Sequence, residues 1–355
     1  MKIILDNIVF SLQKAGGISI VWKELIERVL HSNFSYNFIE FEGCQNNIFR
    51  KGINIPAEKI VLKKSFLISI KRYFNFRSKE KSPYIFHSSY FRYSKDSQAV
   101  NITTVHDFTY EYFYSGFHKW VHCRQKYAAI RHSDYIICVS QNTKQDLLKF
   151  LPETNPDKIL VIYNGVGADY CVSSEDEKHA IRCKYGNYAL FVGFRSVYKN
   201  FRNAVLAVKK SDLNLVIVGG ELTKEERIFL QEELGENRFF ALTRIPNSKL
   251  SKLYSAAYCL LYVSLYEGFG IPVIEAQKSG CPVITLNTPS IVEIIGNQQL
   301  VVQENNIEKI VEKINSLKNS ELRQQIIVQG IENSKKYTWD NMYQQVSEVY
   351  KMAIK

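Results

Sequence analysis

The chain has 355 residues, of which 46% are hydrophobic and 23% are charged. This composition is typical of a globular protein, and the length predicts two domains of ordinary size. The formal net charge is +11, but no nucleic-acid-binding motif accompanies it, so we do not expect nucleic acid as a partner.

The first predicted elements alternate between strands and helices. The chain begins with an apolar strand, Lys2–Asp6, which lacks the small-residue cleavage site of a signal peptide. Apolar runs and helical periodicity then predict strands at 35–41, 83–87, 101–105, 134–139 and 158–162, and helices at 18–30, 117–132 and 141–150. Apolar strands joined through helices form parallel sheets that are covered on both faces. We therefore predict a Rossmann-like domain over residues 1–170.

A second block of the same kind follows a polar stretch at 170–187, which predicts a linker with a short helix. Its strands are predicted at 188–192, 213–218, 238–242, 259–263, 282–285 and 300–302, and its helices at 201–210, 223–234, 248–257 and 271–279. This pattern predicts a second Rossmann-like domain over residues 171–338, followed by an amphipathic helix within residues 339–355.

The cysteines and the apolar runs indicate the compartment. The seven cysteines are dispersed without CxxC spacing, which argues for a reducing environment and against a disulfide framework. No apolar run reaches the roughly 18 residues of a transmembrane helix. We therefore expect a cytoplasmic protein.

The positive charge is uneven along the chain. Residues 1–170 hold 23 Lys and Arg against 15 Asp and Glu, and the excess peaks between Lys63 and Lys81, where aromatic residues are interleaved. This segment has two interpretations. It is a basic amphipathic surface that lies on the inner, anionic face of the membrane, or it is the solvated face of a helix whose aromatic side packs inward.

Two glutamates enclose the most informative motif, Glu267-Gly-Phe-Gly-Ile-Pro-Val-Ile-Glu275. It lies between a predicted strand and a predicted helix. Gly268 and Gly270 allow close approach of the backbone to a ligand, and Pro272 is favoured at a helix start. The free N–H groups at such a start attract anions. Carboxylates beside an anion site suit a sugar nucleotide, which carries both hydroxyls and phosphate.

Two cations follow the first strand of the second block. Arg195 and Lys199 stand between a strand that ends near Gly193 and the next helix. Fixed cations at a strand end can stabilise the negative charge that develops on a diphosphate leaving group. The alternative is a pair of surface cations.

Weaker signals occur in the first block. Gly16 and Gly17 stand before a helix, where main-chain N–H groups can meet phosphate. His106 ends a strand and can hydrogen-bond a donor sugar, although a lone histidine is more often structural. Asp107 either orients His106 or contacts the acceptor.

A metal site is not expected. His118 and His122 are four residues apart, but no HExxH motif, third ligand or DxD-type carboxylate pair accompanies them. We therefore expect no metal and no other cofactor besides the substrate.

These motifs resemble those of a known family. Glu267 and Glu275 are similar to the Glu-x7-Glu pair of retaining glycosyltransferases, and the run from Glu267 to Ile284 is similar to family 4. The Arg195-x-x-Tyr-Lys-Asn pattern looks most like bacterial surface-polysaccharide transferases, many of them mannosyltransferases. The resemblance implies the GT-B fold, in which two Rossmann-like domains face each other across a cleft and the C-terminal helix returns to the N-terminal domain.

The resemblance also implies roles for individual residues. Arg195 and Lys199 would bind the diphosphate, and Glu267 would hold sugar hydroxyls with help from main-chain N–H groups of Phe269 and Gly270. Glu275 would bind the ribose hydroxyls. His106 would assist catalysis, and Ile245 would meet the base through its backbone. The implied donor site comprises Gly16, Gly17, Arg195, Lys199, Ile245, Glu267, Gly268, Phe269, Gly270 and Glu275.

The expected function is a metal-independent, retaining hexosyl transfer from a nucleotide-diphospho-sugar. GDP-mannose is the expected donor, and a glycan or lipid-linked glycan of surface polysaccharide biosynthesis, such as O-antigen or capsule, is the expected acceptor. Two alternatives stay open. One is a sugar-nucleotide epimerase of the same fold, which would need no acceptor. The other is a non-catalytic subunit that binds a membrane or a partner.

Overall fold

The structure, a computed structural model, describes residues 1–66, 68–78 and 80–354. Leu67 and Lys79 of the basic segment, and Lys355 of the predicted C-terminal segment, lie outside the described residues. The chain forms two compact units. The first comprises Met1–Gly165 and the residues from Trp339 onward, and the second comprises Val166–Thr338.

The first unit is built on a parallel sheet of seven strands among the residues that the structure describes. The strands are β1 (Lys2–Asp6), β2 (Ser35–Phe41), β3 (Ile60–Lys63), β4 (Tyr84–Ser88), β5 (Ala99–Val105), β6 (Tyr135–Cys138) and β7 (Ile159–Val161). Their order in the sheet is β3-β2-β1-β4-β5-β6-β7, and each neighbouring pair is parallel. Ile3, Leu5 and Ile85 of the central strands are fully buried, as expected for a sheet covered on both faces.

Helices connect these strands. They are α1 (Val9–Leu12), α2 (Gly17–Leu30), α3 (Ile48–Lys51), α4 (Ile68–Lys71), α5 (Thr109–Phe113), α6 (Gly116–Arg131) and α7 (Gln141–Phe150). The start of α7 is fixed by Ser140, whose Oγ accepts a hydrogen bond from the Thr143 N–H at 3.0 Å.

The second unit repeats the architecture with six parallel strands within its described span. The strands are β8 (Tyr188–Val192), β9 (Asn214–Gly219), β10 (Phe239–Thr243), β11 (Cys259–Tyr262), β12 (Val283–Leu286) and β13 (Val301–Val302). Their order is β10-β9-β8-β11-β12-β13, with parallel pairing throughout. Leu190, Leu215 and Leu260 are fully buried in this sheet.

The helices of the second unit lie between and after these strands. They are α8 (Glu175–Tyr185), α9 (Phe201–Lys209), α10 (Lys224–Leu234), α11 (Asn247–Ala256), α12 (Ile271–Lys278), α13 (Pro289–Ile295), α14 (Ile307–Ser316) and α15 (Ser320–Ser334). A hydrogen bond joins the two ends of the second unit. The N–H of Val166, its first residue, donates to the carbonyl of Tyr337, next to its last residue, at 3.1 Å.

The last helix, α16 (Trp339–Ile354), belongs to the first unit and packs on α2 and β4. Arg28 of α2 pairs with Asp340, with 2.8 Å between Nε and Oδ1. The Tyr350 hydroxyl lies 2.7 Å from His87 Nδ1. Among the helices of the described residues, none combines the length and the apolar character that crossing a bilayer requires.

The basic segment does not form the continuous helix that one interpretation required. Lys63 ends the edge strand β3, and within the described part of the segment α4 spans four residues only. Phe76 turns inward and stacks on Phe86 with 4.7 Å between the ring centroids, whereas Phe66 and Phe74 remain exposed. The aromatic residues of this segment therefore divide between the core and the surface.

Candidate active site

The strand order of the second unit creates a crevice at one edge of its sheet. The chain proceeds from β8 to β9 and β10 on one side, and it then returns to β11 on the other side of β8. Loops that leave β8 and β11 therefore diverge at their carboxyl ends, which is where open α/β sheets bind ligands. The loop after β8 carries Arg195 and Lys199, and the loop after β11 carries Glu267.

Lys199 and Glu267 form an ion pair at this crevice. Lys199 Nζ lies 2.6 Å from Glu267 Oε1, and the two side chains are only 14% and 10% exposed. The ammonium group also lies 5.4 Å from the ring centroids of Tyr198 and Tyr262. Because both side chains are largely buried, solvent screens the electrostatic field of each group only weakly. A hydrogen-bond acceptor and a cation thus stand side by side, ready for a ligand with hydroxyls and phosphate.

Hydrogen bonds to neighbouring loops hold Glu267 in place. The Glu267 carbonyl accepts from Ser290 Oγ at 2.7 Å, and the Ser264 carbonyl accepts from Thr288 Oγ1 at 2.6 Å. On the other side, the Leu265 N–H donates to the Tyr198 carbonyl at 2.7 Å. The loop is therefore fastened to the segments that follow β8 and β12.

The glycine turn after Glu267 leads directly into α12. Gly270 has a φ of +105°, in the region that favours glycine, and a Cβ at this position would collide with Ile291 Cδ1. Pro272 lies in the first turn of α12. Gly268 and Phe269 are buried. The positive φ, together with the close contact with Ile291, explains why a glycine stands where the chain enters the helix.

Glu275 lies one turn further along α12 and is 6% exposed. Its Oε2 accepts a hydrogen bond from the Tyr254 hydroxyl at 3.0 Å. Burial raises the pKa of Glu275 to about 7, although hydrogen bonds from Tyr170 and Tyr254 act in the opposite direction. Near neutral pH this carboxyl group is therefore divided between its protonated and ionised forms.

Arg195 is directed to the other side of β8. Its Nη1 and Nη2 donate to the carbonyls of Gly220 and Glu221 at 3.1 and 2.6 Å, and its Nε lies 2.8 Å from Glu226 Oε1. These partners follow β9, whereas the partner of Lys199 follows β11. The structure therefore brings Lys199 and Glu267 together and anchors the Arg195 guanidinium separately.

Ile245 follows β10, two strands away from β8, and is half-buried. The preceding residue, Arg244, has a φ of +52°, which is uncommon for a residue other than glycine. The turn there is thus set by the backbone of Arg244, and it leaves Ile245 at the carboxyl edge of the same sheet.

In the first unit the strand order reverses between β1 and β4. Gly16 and Gly17, in the connection after β1, stand at the start of α2. A Cβ on Gly16 would collide with Gln13 Oε1, which accepts from Ser19 Oγ at 3.2 Å. A side chain at Gly16 would therefore displace the end of the Gln13 side chain from Ser19.

His106 follows β5 and is half-buried. Burial lowers the pKa of His106 to about 4; Asp107 opposes this shift and Lys126 adds to it. The imidazole is therefore neutral at physiological pH and can exchange hydrogen bonds without carrying charge. Asp107 Oδ1 accepts from the Thr109 N–H at 2.9 Å, which fixes the turn that leaves the strand.

Comparison with known proteins identifies the family. The model of "Glycosyl transferases group 1" matches residues 173–353, which is about half of the chain, and the model of "Glycosyltransferase Family 4" matches residues 15–170. The chain belongs to the group 1 glycosyltransferases.

Two similar relatives of this glycosyltransferase carry related names. The O-antigen chain mannosyltransferase B of Escherichia coli is 27% identical over 61% of this chain and 60% of its own length. The O-antigen chain mannosyltransferase RfbU of Salmonella typhimurium is 31% identical over 68% of this chain and 67% of its own length. The match therefore leaves about a third or more of each relative's own length uncovered.

Solved structures show the same fold. Anabaena Alr3699/HepE, in complex with UDP and glucose, aligns with a TM-score of 0.76 at 14% identity, covering 99% of this chain and 100% of that one. Sucrose-phosphate synthase of Thermosynechococcus elongatus aligns with a TM-score of 0.80 at 16% identity, covering 100% and 99%. The glycosyltransferase therefore has the two Rossmann-like domains of the GT-B fold, which confirms the predicted fold class.

Several partners of the candidate residues were not found from the sequence of this glycosyltransferase. These partners are Glu226, which pairs with Arg195, Tyr254, which donates to Glu275, and Ser290, which donates to the Glu267 carbonyl. Each is more than twenty residues away from its partner along the chain. In the sequence Glu226 and Tyr254 look like ordinary residues of predicted helices, and Ser290 lies outside every predicted helix. Lys126, on α6, is also buried close to Asp107. It lies within the helix predicted over 117–132, whose sequence has no distinct apolar face that would single it out.

The raised pKa of Glu275 predicts a pH-dependent stability. The folded protein holds this proton more tightly than the unfolded chain, whose carboxyl group titrates near 4.5, so unfolding releases a proton between about pH 4.5 and 7. The free energy of unfolding should therefore fall as the pH rises through this window, by up to about 3 kcal/mol. Glu275→Gln should lack this decrease, as measured by urea denaturation of both proteins at several pH values.

The difference between the two proteins isolates Glu275, because His87, His106 and His122, whose pKa values are lowered, contribute equally to both. Parallel stability curves for the wild type and Glu275→Gln would contradict the assignment.

Proposed function

We propose that this protein is a retaining, metal-independent hexosyltransferase of surface polysaccharide biosynthesis. It moves the sugar of a nucleotide-diphospho-sugar to a glycan or lipid-linked glycan acceptor. The Lys199–Glu267 pair at the carboxyl edge of β8 and β11 carries this proposal, because it combines a cation and a carboxylate at the place where such sheets bind nucleotides.

The chemistry assigns a separate task to each member of the pair. Glu267 accepts hydrogen bonds from sugar hydroxyls, since an ionised carboxylate has acceptor oxygens only. Lys199 turns to the diphosphate, on which negative charge builds up as the bond to the anomeric carbon breaks. A cation that is already in position stabilises this charge more in the transition state than in the ground state.

Retention of configuration requires that the acceptor hydroxyl attack from the face that the diphosphate leaves. The bond from the anomeric carbon to the diphosphate oxygen breaks, and a bond to the acceptor oxygen forms on that face. The departing phosphate takes the acceptor's proton. In this scheme His106, neutral at physiological pH, exchanges a hydrogen bond with the donor sugar, and no metal ion is needed.

GDP-mannose is the donor that we propose. Both relatives described above are named as O-antigen mannosyltransferases, which supports mannose as the sugar. In this assignment Glu275 accepts from the ribose hydroxyls, Ile245 meets the base, and the Gly16–Gly17 turn contributes N–H groups to the donor.

A thermal-shift panel tests the donor. GDP-mannose should raise the melting temperature more than GDP-glucose, UDP-glucose or ADP-glucose at equal concentration, because a ligand that binds only the folded state stabilises it by mass action. A larger shift with a UDP-sugar would replace GDP-mannose as the donor. No shift with any nucleotide sugar would argue for the non-catalytic alternative.

Lys199→Ala should reduce the turnover number for mannosyl transfer at least about a hundredfold, the scale for losing one group that stabilises developing charge. The control is Lys209→Ala. This variant removes an exposed lysine of α9 that pairs with Glu233, and it should leave turnover unchanged. Turnover would be measured with GDP-mannose and a lipid-linked acceptor. Near-normal transfer by Lys199→Ala would refute its assigned role, and product formation without acceptor would favour the epimerase.

We also propose that the protein works on the inner face of the cell membrane as a peripheral protein. The first unit carries exposed aromatic residues on α6 and in the basic segment. Phe117 is 72% exposed, Trp120 55% and Phe66 74%. The guanidinium of Arg124 lies 5.2 Å from the Trp120 ring centroid. Aromatic rings interleaved with cations suit the boundary between anionic headgroups and acyl chains.

Replacing Phe117 and Trp120 by serine together should weaken binding to vesicles that contain phosphatidylglycerol at least about tenfold, since each buried aromatic side chain contributes about 1.5–3 kcal/mol. Co-sedimentation would measure the bound fraction. The control is Val328→Ser, which removes an apolar side chain of similar exposure on α15 in the second unit. If the double variant and the control bind alike, the surface on α6 does not contact the membrane.

A further inference from the structure

Lys126 is a charged residue in the interior of the first unit. It lies on α6 and is 0% exposed. Its Nζ donates to the Asp107 carbonyl and to Glu111 Oε2, each at 2.9 Å. It also lies 4.5 Å from the ring centroid of Phe108. Lysine is almost never fully buried unless it is paired, and Glu111 supplies that pair.

The ion pair by itself gives little reason for its presence. Removing two charges from water costs several kcal/mol, and well-packed apolar residues often stabilise a protein as much as a buried pair does. The distinctive feature is the other hydrogen bond of the ammonium group, to the main-chain carbonyl of Asp107. This contact ties α6 to the turn that immediately follows His106.

We propose that Lys126 is a positioning residue for His106. Its ammonium group holds the Asp107 carbonyl and so fixes the direction in which the His106 side chain projects from the end of β5. Glu111 compensates the buried charge and orients the ammonium group. The kinetic consequence rests on the function proposed above, whereas the effect on His106 does not depend on it.

Electrostatics gives this contact a second effect. The groups that face His106 are His87 on β4, Asp107 in its own turn and Lys126 on α6, with Glu111 of α5 behind the lysine. Asp107 favours the imidazolium form, and Lys126 opposes it. The lysine therefore helps to keep the imidazole neutral beside a carboxylate, so that it serves as a hydrogen-bonding group and not as a cation.

Three variants of the full chain test the proposal. Lys126→Met removes the charge and the contact with the Asp107 carbonyl. Lys126→Arg keeps the charge. Arg50→Met is the matched control, because it breaks another buried ion pair of the first unit, Arg50–Glu40, and leaves the Asp107 turn untouched. The readouts are the pKa of His106 from NMR titration of its ring and the turnover number and KM of transfer.

Burial, the largest cause of the low His106 pKa, stays in Lys126→Met, but the pKa should still rise above about 4 because a nearby cation is lost. The turnover number should fall at least about tenfold with little change in the donor KM, the pattern of a misplaced group. Lys126→Arg should keep the pKa of His106 low and recover most of the turnover. Arg50→Met should change stability alone.

If Lys126→Met leaves the pKa of His106 unchanged, or behaves like Arg50→Met in both readouts, the proposal is overturned. Should that variant fail to fold, Lys126→Met combined with Glu111→Gln removes both charges, and a raised His106 pKa in the double variant supports the proposal while an unchanged one defeats it. If the protein transfers no sugar but Lys126→Met still raises the pKa of His106, the proposed function fails and this inference holds.

Discussion

The ion pair between Lys199 and Glu267 is the interaction on which the candidate site depends. The two residues are 68 positions apart, and they meet because β8 and β11 are neighbours at the point where the strand order reverses. Each charge alone would be costly at such low exposure, so the pair makes both tolerable. In the proposed function a phosphate gives Lys199 a charged partner, whereas sugar hydroxyls give Glu267 neutral hydrogen-bond donors. In the proposed function the pair therefore holds in position both charges that the transfer uses.

Much of the fold could be predicted because its strands are buried on both faces. The predicted limits of β1, β2 and β8 agree with the structure. Continuous apolar runs mark β1 and β8, whereas Asn37 and Glu40 interrupt the apolar residues of β2. The edge strand β3 was missed, since Val61 and Leu62 are largely exposed and the run ends in Lys63. The helices α13, α14 and α15 were not predicted either. In the basic segment, composition indicated an amphipathic surface but could not show which rings turn inward.

The candidate residues followed from local motifs, whereas their partners did not. A sequence pattern places Arg195 and Lys199 after one strand, but the direction of each side chain depends on which loops lie beside that strand. Arg195 turns to the loop after β9 and Lys199 to the loop after β11. Likewise, the two carboxylates of the Glu-x7-Glu motif differ in surroundings, because Glu267 meets a cation and Glu275 meets tyrosine hydroxyls. Such differences are properties of packing and not of spacing.

Both units keep ionisable groups away from water at or behind the carboxyl edges of their sheets. In the second unit burial raises the pKa of Glu275 to about 7. In the first unit burial keeps His106 neutral, and the buried ammonium group of Lys126 acts in the same direction. These arrangements cost stability, because water would solvate each charged form better. In the proposed function they also fix hydrogen-bonding groups in advance, so that little reorganisation is needed when charge moves during bond breaking. A fold that only needed a stable core would place apolar side chains at these positions, and their polar character therefore supports a role in chemistry.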